Sequence, residues 1–250
     1  MSNPLRERLE AGEATIGGWL SIGDSFSAEV MAKAGFDWLL VDLQHGVVDT
    51  RDMVPMLQAI GATPTVPLVR PPSNEAAIIG RCLDAGARGV IIPMVNTRED
   101  AEAAVAACRF APIGSRSVGP VRATVDLGID LGAYDDTESL CIVMLETVEA
   151  YDQIDDILSV PGLDGAFVGP GDLSVSFGLS PGLEQDDEHF NSAIEKLLDA
   201  CNRFNLIPGV FADAEVGRKR LAQGFKMVQI ATDFQIMAAA AQEAIETARK

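Results

Sequence analysis

Eight short apolar runs punctuate this chain: "TIGGWLSI" (15–22), "FDWLLVD" (36–42), "TVPLVR" (65–70), "RGVIIPM" (88–94), "LCIVMLE" (140–146), "DGAFVG" (164–169), "LIPGVF" (206–211) and "FKMVQIA" (225–231). They are continuous rather than alternating, the form taken by parallel strands that helices cover from outside. Longer helical patterns separate them, several with a start signal. Asp24, Asp49 and Ser73 are N-cap candidates, and Thr97 with Asp100 reads as a capping box. Glycine ends the helical pattern at Gly35, Gly86 and Gly224. Eight strands with eight following helices predict an α/β fold, a (β/α)8 TIM barrel closed by right-handed crossovers. The length of 250 residues suits one such barrel, so a single domain over 1–250 is expected, although two smaller domains would fit the same length. Residues 111–139 and 169–190 exceed an ordinary connection and are expected to be functional or to hold local helices.

Several runs release a polar residue at or just past their C-terminal end: Asp42 and His45, Arg70, Glu146, and Asp172. Barrel enzymes carry their sites at that end of the strands. Glu146 and Asp172 follow neighbouring strands, about 5 Å apart. Two carboxylates there repel unless a proton, a cationic side chain or a metal lies between them. No lysine or arginine is near either in sequence, and a hard divalent cation completed by water and substrate oxygen fits. The competing reading makes Glu146 a helix cap and Asp172 a turn residue.

His45 is one of two histidines and follows Asp42 by three positions. An imidazole at a barrel mouth is a candidate general base; a structural surface histidine is the alternative. His189, in the acidic "QDDEHFNS", is expected to be solvated. Arg70 can hold a carboxylate or a developing oxyanion, or can instead form a salt bridge with Asp42. Pro71 and Pro72 keep the next residues extended. The "VGPGDLS" turn offers backbone amides to carboxylate or phosphate oxygens.

A net charge of −18 with no basic patch argues against nucleic acid as a partner. No apolar run is long enough to span a bilayer, and the charged start lacks a signal-peptide core, so a soluble cytoplasmic protein is expected. Cys82, Cys108, Cys141 and Cys201 have neither metal-like nor disulfide-like spacing and are expected to be buried thiols.

The segments "AGFDWLLVDLQHG", "LVRPP", "CLDAGARGVIIPMVNTREDA", "LET" and "IDDILSVPGLDGAFVGPGDLS" together resemble the HpcH/HpaI aldolase family, metal-dependent pyruvate aldolases, nearly end to end. The resemblance implies a TIM barrel of the phosphoenolpyruvate/pyruvate type. It also implies a hexamer, a trimer of dimers whose subunits exchange their last helix; the alanine-rich C-terminal segment suits such packing. It implies Mg2+, Mn2+ or Co2+ on Glu146 and Asp172, chelated by a 2-oxo acid whose carboxylate meets the amides of Gly171 and Asp172. His45 would be the base, Arg70 would stabilise the enolate, and the enolate would add to an aldehyde or form by cleavage of a 4-hydroxy-2-oxo acid. Asp84 would raise the basicity of a histidine, in a neighbouring subunit, with Asp42 as the alternative partner within the chain.

Met144 departs from the family's usual "VQxE", since a thioether cannot replace an amide donor. The 114–123 segment also departs from the usual pattern, and its Ser115, Ser117, Val118 and Arg122, with Phe211, are expected on the acceptor side. Three rival activities share these residues. A citryl- or malyl-CoA lyase is disfavoured by the short chain and the missing basic patch. An oxaloacetate decarboxylase would use the same enolate. A non-catalytic metal- and oxo-acid-binding barrel is disfavoured by the presence of both His45 and Arg70.

Overall fold

The computed structural model describes residues 2–250. Each of the eight apolar runs contains a strand: β1 Thr15–Leu20, β2 Trp38–Asp42, β3 Val66–Arg70, β4 Gly89–Ile92, β5 Leu140–Leu145, β6 Gly165–Val168, β7 Ile207–Phe211 and β8 Met227–Thr232. All pair in parallel and in sequence order, and β8 pairs back onto β1 to close a barrel. Around them run α1 Pro4–Glu10, α2 Ser25–Ala32, α3 Thr50–Gly61, α4 Ala76–Asp84, α5 Arg98–Cys108 and α6 Val121–Leu127. The second half adds α7 Val148–Asp152, α8 Ile154–Leu158, α9 Pro170–Ser176, α10 Glu188–Phe204, α11 Ala214–Gln223 and α12 Asp233–Ala248. This is the (β/α)8 barrel that the spacing predicts.

The helix starts are set by the expected side chains at three of four places. Asp24 accepts from the Ser27 amide, Asp49 caps α3, and Thr97 with Asp100 forms a reciprocal capping box on α5. Ser73 is not a cap: α4 begins two residues later than that reading, with Glu75 as N-cap and no capping side chain. The chain bends at residues 72–74 after the paired prolines, so the expectation that they keep the next residues extended is corrected, and the helix starts only beyond Glu75. Gly35, Gly86 and Gly224 all take the left-handed backbone conformation that ends a helix. The long stretch 111–139 holds α6 and two short 3-10 turns, and 169–190 holds α9.

Two apolar layers hold the barrel together. The outer one lies between strands and helices and includes Leu39, Val41, Ile92, Val143, Val168, Phe190 and Leu197. The inner one fills the barrel with Trp19, Trp38, Leu68, Ile142, Met144, Phe167 and Met227, and Leu5 and Leu9 of α1 close its N-terminal end. Gly17 makes room for this interior: a Cβ there would collide with the Trp38 ring. Each fully buried large side chain contributes about 1.5–3 kcal/mol, and the barrel interior is a solid core. All four cysteines are buried and free, as expected, and burial pushes Cys82 and Cys201 up to about 12.

α12 differs from the other long helices. Beyond Asp233 its side chains are mostly exposed, including Phe234, Ile236, Met237 and Ile245. Its main contacts with its own barrel are with β1 and β8. Its first residue anchors it: Asp233 accepts hydrogen bonds from the amides of Ser21 and Ile22, both at 3.0 Å. Among the described residues no helix is long and apolar enough to cross a membrane.

Candidate active site

A cavity of about 890 Å3 opens at the C-terminal end of the strands, with Trp19, Asp42, His45, Arg70, Phe211 and Phe234 in its wall. The parallel register places Asp42 directly opposite Arg70 on adjacent strands. Their side chains meet in a two-pronged pair, Nε to Oδ1 at 2.8 Å and Nη2 to Oδ2 at 2.7 Å. The salt-bridge reading of Arg70 therefore holds, and the same guanidinium still lines the cavity. It stacks over the Trp19 ring, 4.9 Å from the centroid, and its remaining nitrogen, Nη1, lies 3.9 Å from the Met144 sulfur. Burial alone would raise the Asp42 carboxyl; the Arg70 hydrogen bonds and charge, with the Gln44 amide, outweigh it and hold Asp42 below the usual range.

His45 is exposed at the cavity edge. Only its backbone amide approaches Asp42, at 3.4 Å. The carboxylate of Asp42 is committed to Arg70, so the expectation that it orients the imidazole within the chain is corrected. Among the described residues no side chain hydrogen-bonds the imidazole. His189 is exposed, as expected, and stacks on Phe177.

Glu146 follows β5 and is 1% exposed, yet no cationic side chain pairs with it among the described residues. Its Oε1 accepts from the Met94 amide at 2.8 Å. Burial raises its pKa most, and the nearby Asp172 charge adds to that, against the Met94 hydrogen bond and the Arg70 charge. Asp172 is exposed in the first turn of α9. The first helical hydrogen bond there runs from the Leu173 amide to the Gly169 carbonyl, which leaves the amides of Gly171 and Asp172 without an intrahelical acceptor. Among the described residues no group of three or more His, Cys, Asp or Glu could hold a metal. A buried carboxylate that feels a second carboxylate's charge and forms no salt bridge of its own nevertheless suits a cation that takes two protein ligands and fills its shell with water and substrate oxygen.

Three expected site residues lie at the other end of the barrel. Asp84 ends α4 and is half-exposed, with Oδ1 2.7 Å from Nη2 of Arg116. That arginine is buried against the rings of Phe110 and Tyr134. Ser117 and Val118 are exposed just beyond it. Ser115 and Arg122 bond to carbonyls of α5 and the end of α4, at Ala106 and Ala85. None of these residues is in the wall of their own chain's cavity, whereas Phe211 is. Helices run antiparallel to the strands of such a barrel, so the end of α4 is opposite the mouth.

Sequence reasoning missed Trp19, Phe234, Asp233 and Met94. Asp233 follows an apolar strand end, the signal that singled out Asp42 and Glu146, and the same rule applied to the eighth run finds it. Met94 carries no local signal, because its contribution is a backbone amide.

The HpcH/HpaI aldolase/citrate lyase family model matches residues 15–240. The chain is 36% identical over 248 residues to a hydroxypyruvate/pyruvate aldolase of Rhizorhabdus wittichii, covering 99% of each. It is 36% identical over 246 residues to a 4-hydroxy-2-oxo-heptane-1,7-dioate aldolase of Salmonella dublin, covering 97% of this chain and 93% of that one. A crystal structure of an HpcH/HpaI aldolase/citrate lyase family protein from Burkholderia cenocepacia superposes over the full length of both chains with a TM-score of 0.93 and 32% identity. The closed barrel agrees with these matches, and the chain belongs to the HpcH/HpaI aldolase/citrate lyase family.

Proposed function

We propose that this protein is a divalent-metal-dependent aldolase, a carbon–carbon lyase that joins a pyruvate-type 2-oxo acid to an aldehyde and cleaves the 4-hydroxy-2-oxo acid product. The observation that carries this reading is the charge arrangement at the strand ends: Arg70, held by Asp42, lines the cavity, and the buried Glu146 carboxylate feels the Asp172 charge without a salt-bridge partner of its own. Glu146 and Asp172 would hold Mg2+, Mn2+ or Co2+, and the bound cation would supply Lewis acidity to the carboxylate and keto oxygens of the acid.

The remaining work falls to the chain. The amides of Gly171 and Asp172 receive the substrate carboxylate. His45 takes a proton from the methyl carbon through a ring nitrogen. The new carbon–carbon bond forms to the aldehyde carbonyl carbon, whose oxygen collects a proton. Asp42 occupies Nε and one position on Nη2 of Arg70, so Nη1 is the edge that meets charge developing on the keto oxygen. Trp19 and Phe211 give the acceptor end an apolar wall. Met144 offers only a thioether beside the acid, which favours a donor with few polar groups at that point.

Asp84, Ser117 and Val118 share the end of the barrel opposite the mouth, so we assign their contribution to the mouth of a neighbouring subunit, with Asp84 against His45. The exposed apolar face of α12 supports an oligomer in which that helix lies on a second copy, as in a trimer of dimers. The test is exchange of the pyruvate methyl protons with deuterium, followed by NMR on metal-loaded protein, and then an aldehyde panel with malyl-CoA and oxaloacetate as competing substrates. Aldol product from pyruvate is expected. Exchange-silent protein, or turnover of malyl-CoA alone, would overturn the assignment.

A further inference from the structure

The orientation of Glu146 is set by backbone on two sides. Met94 has φ +56°, and the one other non-glycine residue with positive φ among the described residues, Asn205, is the left-handed C-cap of α10. Met94 caps no helix. It follows Pro93 at the end of β4, and its left-handed conformation is disfavoured for a residue with a Cβ. The Met94 amide meets Glu146 Oε1 2.8 Å away, and the left-handed turn at Met94 relates that amide to the chain that follows it. The next amide, of Val95, is taken by the Met144 carbonyl at 3.3 Å, so the turn is pinned to β5 by both residues flanking Leu145.

The other oxygen is fixed by a missing atom. A Cβ built on Gly169 would collide with Glu146 Oε2 and lie 3.1 Å from the Met144 terminal methyl. Gly169 has φ −99°, which any residue can adopt, so backbone freedom does not explain the glycine; space for the carboxylate does. β5 and β6 are adjacent in register, with Leu145 opposite Val168, so Glu146 and Gly169 are the next residues on each strand.

We propose that Met94 and Gly169 are positioning residues that hold the Glu146 carboxylate in its ligating rotamer before any cation arrives. Strained backbone on one side and an omitted Cβ on the other act through Glu146 alone, and neither side chain touches substrate. The proposal rests on the metal reading of Glu146, and the test keeps the two apart.

Gly169→Ala forces aside the end of a flexible side chain, which the fold can absorb, but it moves Oε2. Isothermal titration of the metal-free protein with Mn2+ alone is therefore expected to show affinity about 10–100-fold weaker, as for other residues that orient a ligand, with the melting temperature nearly unchanged. Met94→Val, whose β-branch opposes positive φ, should weaken Mn2+ in the same way, and Met94→Gly, which keeps both the amide and the conformation, should bind as wild type does. Wild-type Mn2+ affinity in Gly169→Ala, or a drop in melting temperature with affinity intact, would overturn the proposal. If the wild type itself takes up no Mn2+, the metal reading falls. A crystal structure of metal-free Gly169→Ala then decides the positioning claim by itself: Glu146 Oε2 must be displaced from its wild-type position, and an unmoved carboxylate overturns the claim.

Discussion

Replacing Asp42 by asparagine isolates what the pair with Arg70 contributes. The two side chains share two charge-assisted hydrogen bonds of 2.8 and 2.7 Å, and both are almost wholly buried. Asparagine keeps one acceptor and presents an NH2 group to the other guanidinium nitrogen, so one such bond is lost and Arg70 is left buried without a counter-charge. A hydrogen bond to a charged group is worth about 1.5–3 kcal/mol, and breaking a buried pair outright costs about 3–5 kcal/mol. Because Arg70 also faces the open cavity and keeps one of the two hydrogen bonds, the cost falls below that of a fully broken buried pair, at about 2–3 kcal/mol. For a chain of this size that lowers the melting temperature by about 4–12 °C.

The pH dependence has a defined sign. The folded-state pKa of Asp42 lies below its ordinary value. Between the folded value and about 3.9 in the unfolded chain, the unfolded state binds more protons, so stability rises with pH there. The contribution is complete above the unfolded value and is lost as pH falls through the folded one. Calorimetry of wild type and Asp42→Asn across pH should show a gap that is widest near neutrality and narrows below about pH 4. A difference under about 1 °C at neutral pH, or a gap that persists undiminished into acid, would refute the argument.

Glu146→Gln and Asp172→Asn should each lose Mn2+ binding and aldol activity together, with the fold retained by circular dichroism; full activity of Asp172→Asn in chelator would contradict the ligand assignment. His45→Ala should keep metal affinity and slow methyl-proton exchange by about 10²–10⁴. Arg70→Ala should reduce kcat by about 10²–10³ if its Nη1 edge meets developing oxyanion charge. Ile236→Glu with Met237→Glu on α12 should leave a folded chain of smaller hydrodynamic size in sedimentation, and unchanged assembly would remove α12 from the interface.

The strands were legible in the sequence because a parallel strand covered on both faces must be apolar along its whole length, and eight such runs leave few architectures open. The helix starts at Asp24, Asp49 and Thr97 were legible because a cap acts over three residues. The cap signal failed at Ser73, where the chain bends through residues 72–74 before α4 begins. Strand-end position singled out Asp42, His45, Arg70, Glu146 and Asp172, and the neighbouring strands β2 and β3 bring Asp42 and Arg70 together.

Tertiary structure alone decided what each of those groups faces. Only the folded register shows that Asp42 spends both oxygens on Arg70, 28 positions away, and leaves the imidazole of His45 without a partner in its own chain. Only the barrel shows that Asp84 ends at the opposite face, and that Glu146 depends on an amide 52 positions distant and on the Cβ that Gly169 lacks. Hydrophobic periodicity reports which face of an element is buried. The direction of a single carboxylate is set by atoms from other strands, and those become neighbours only when the barrel closes.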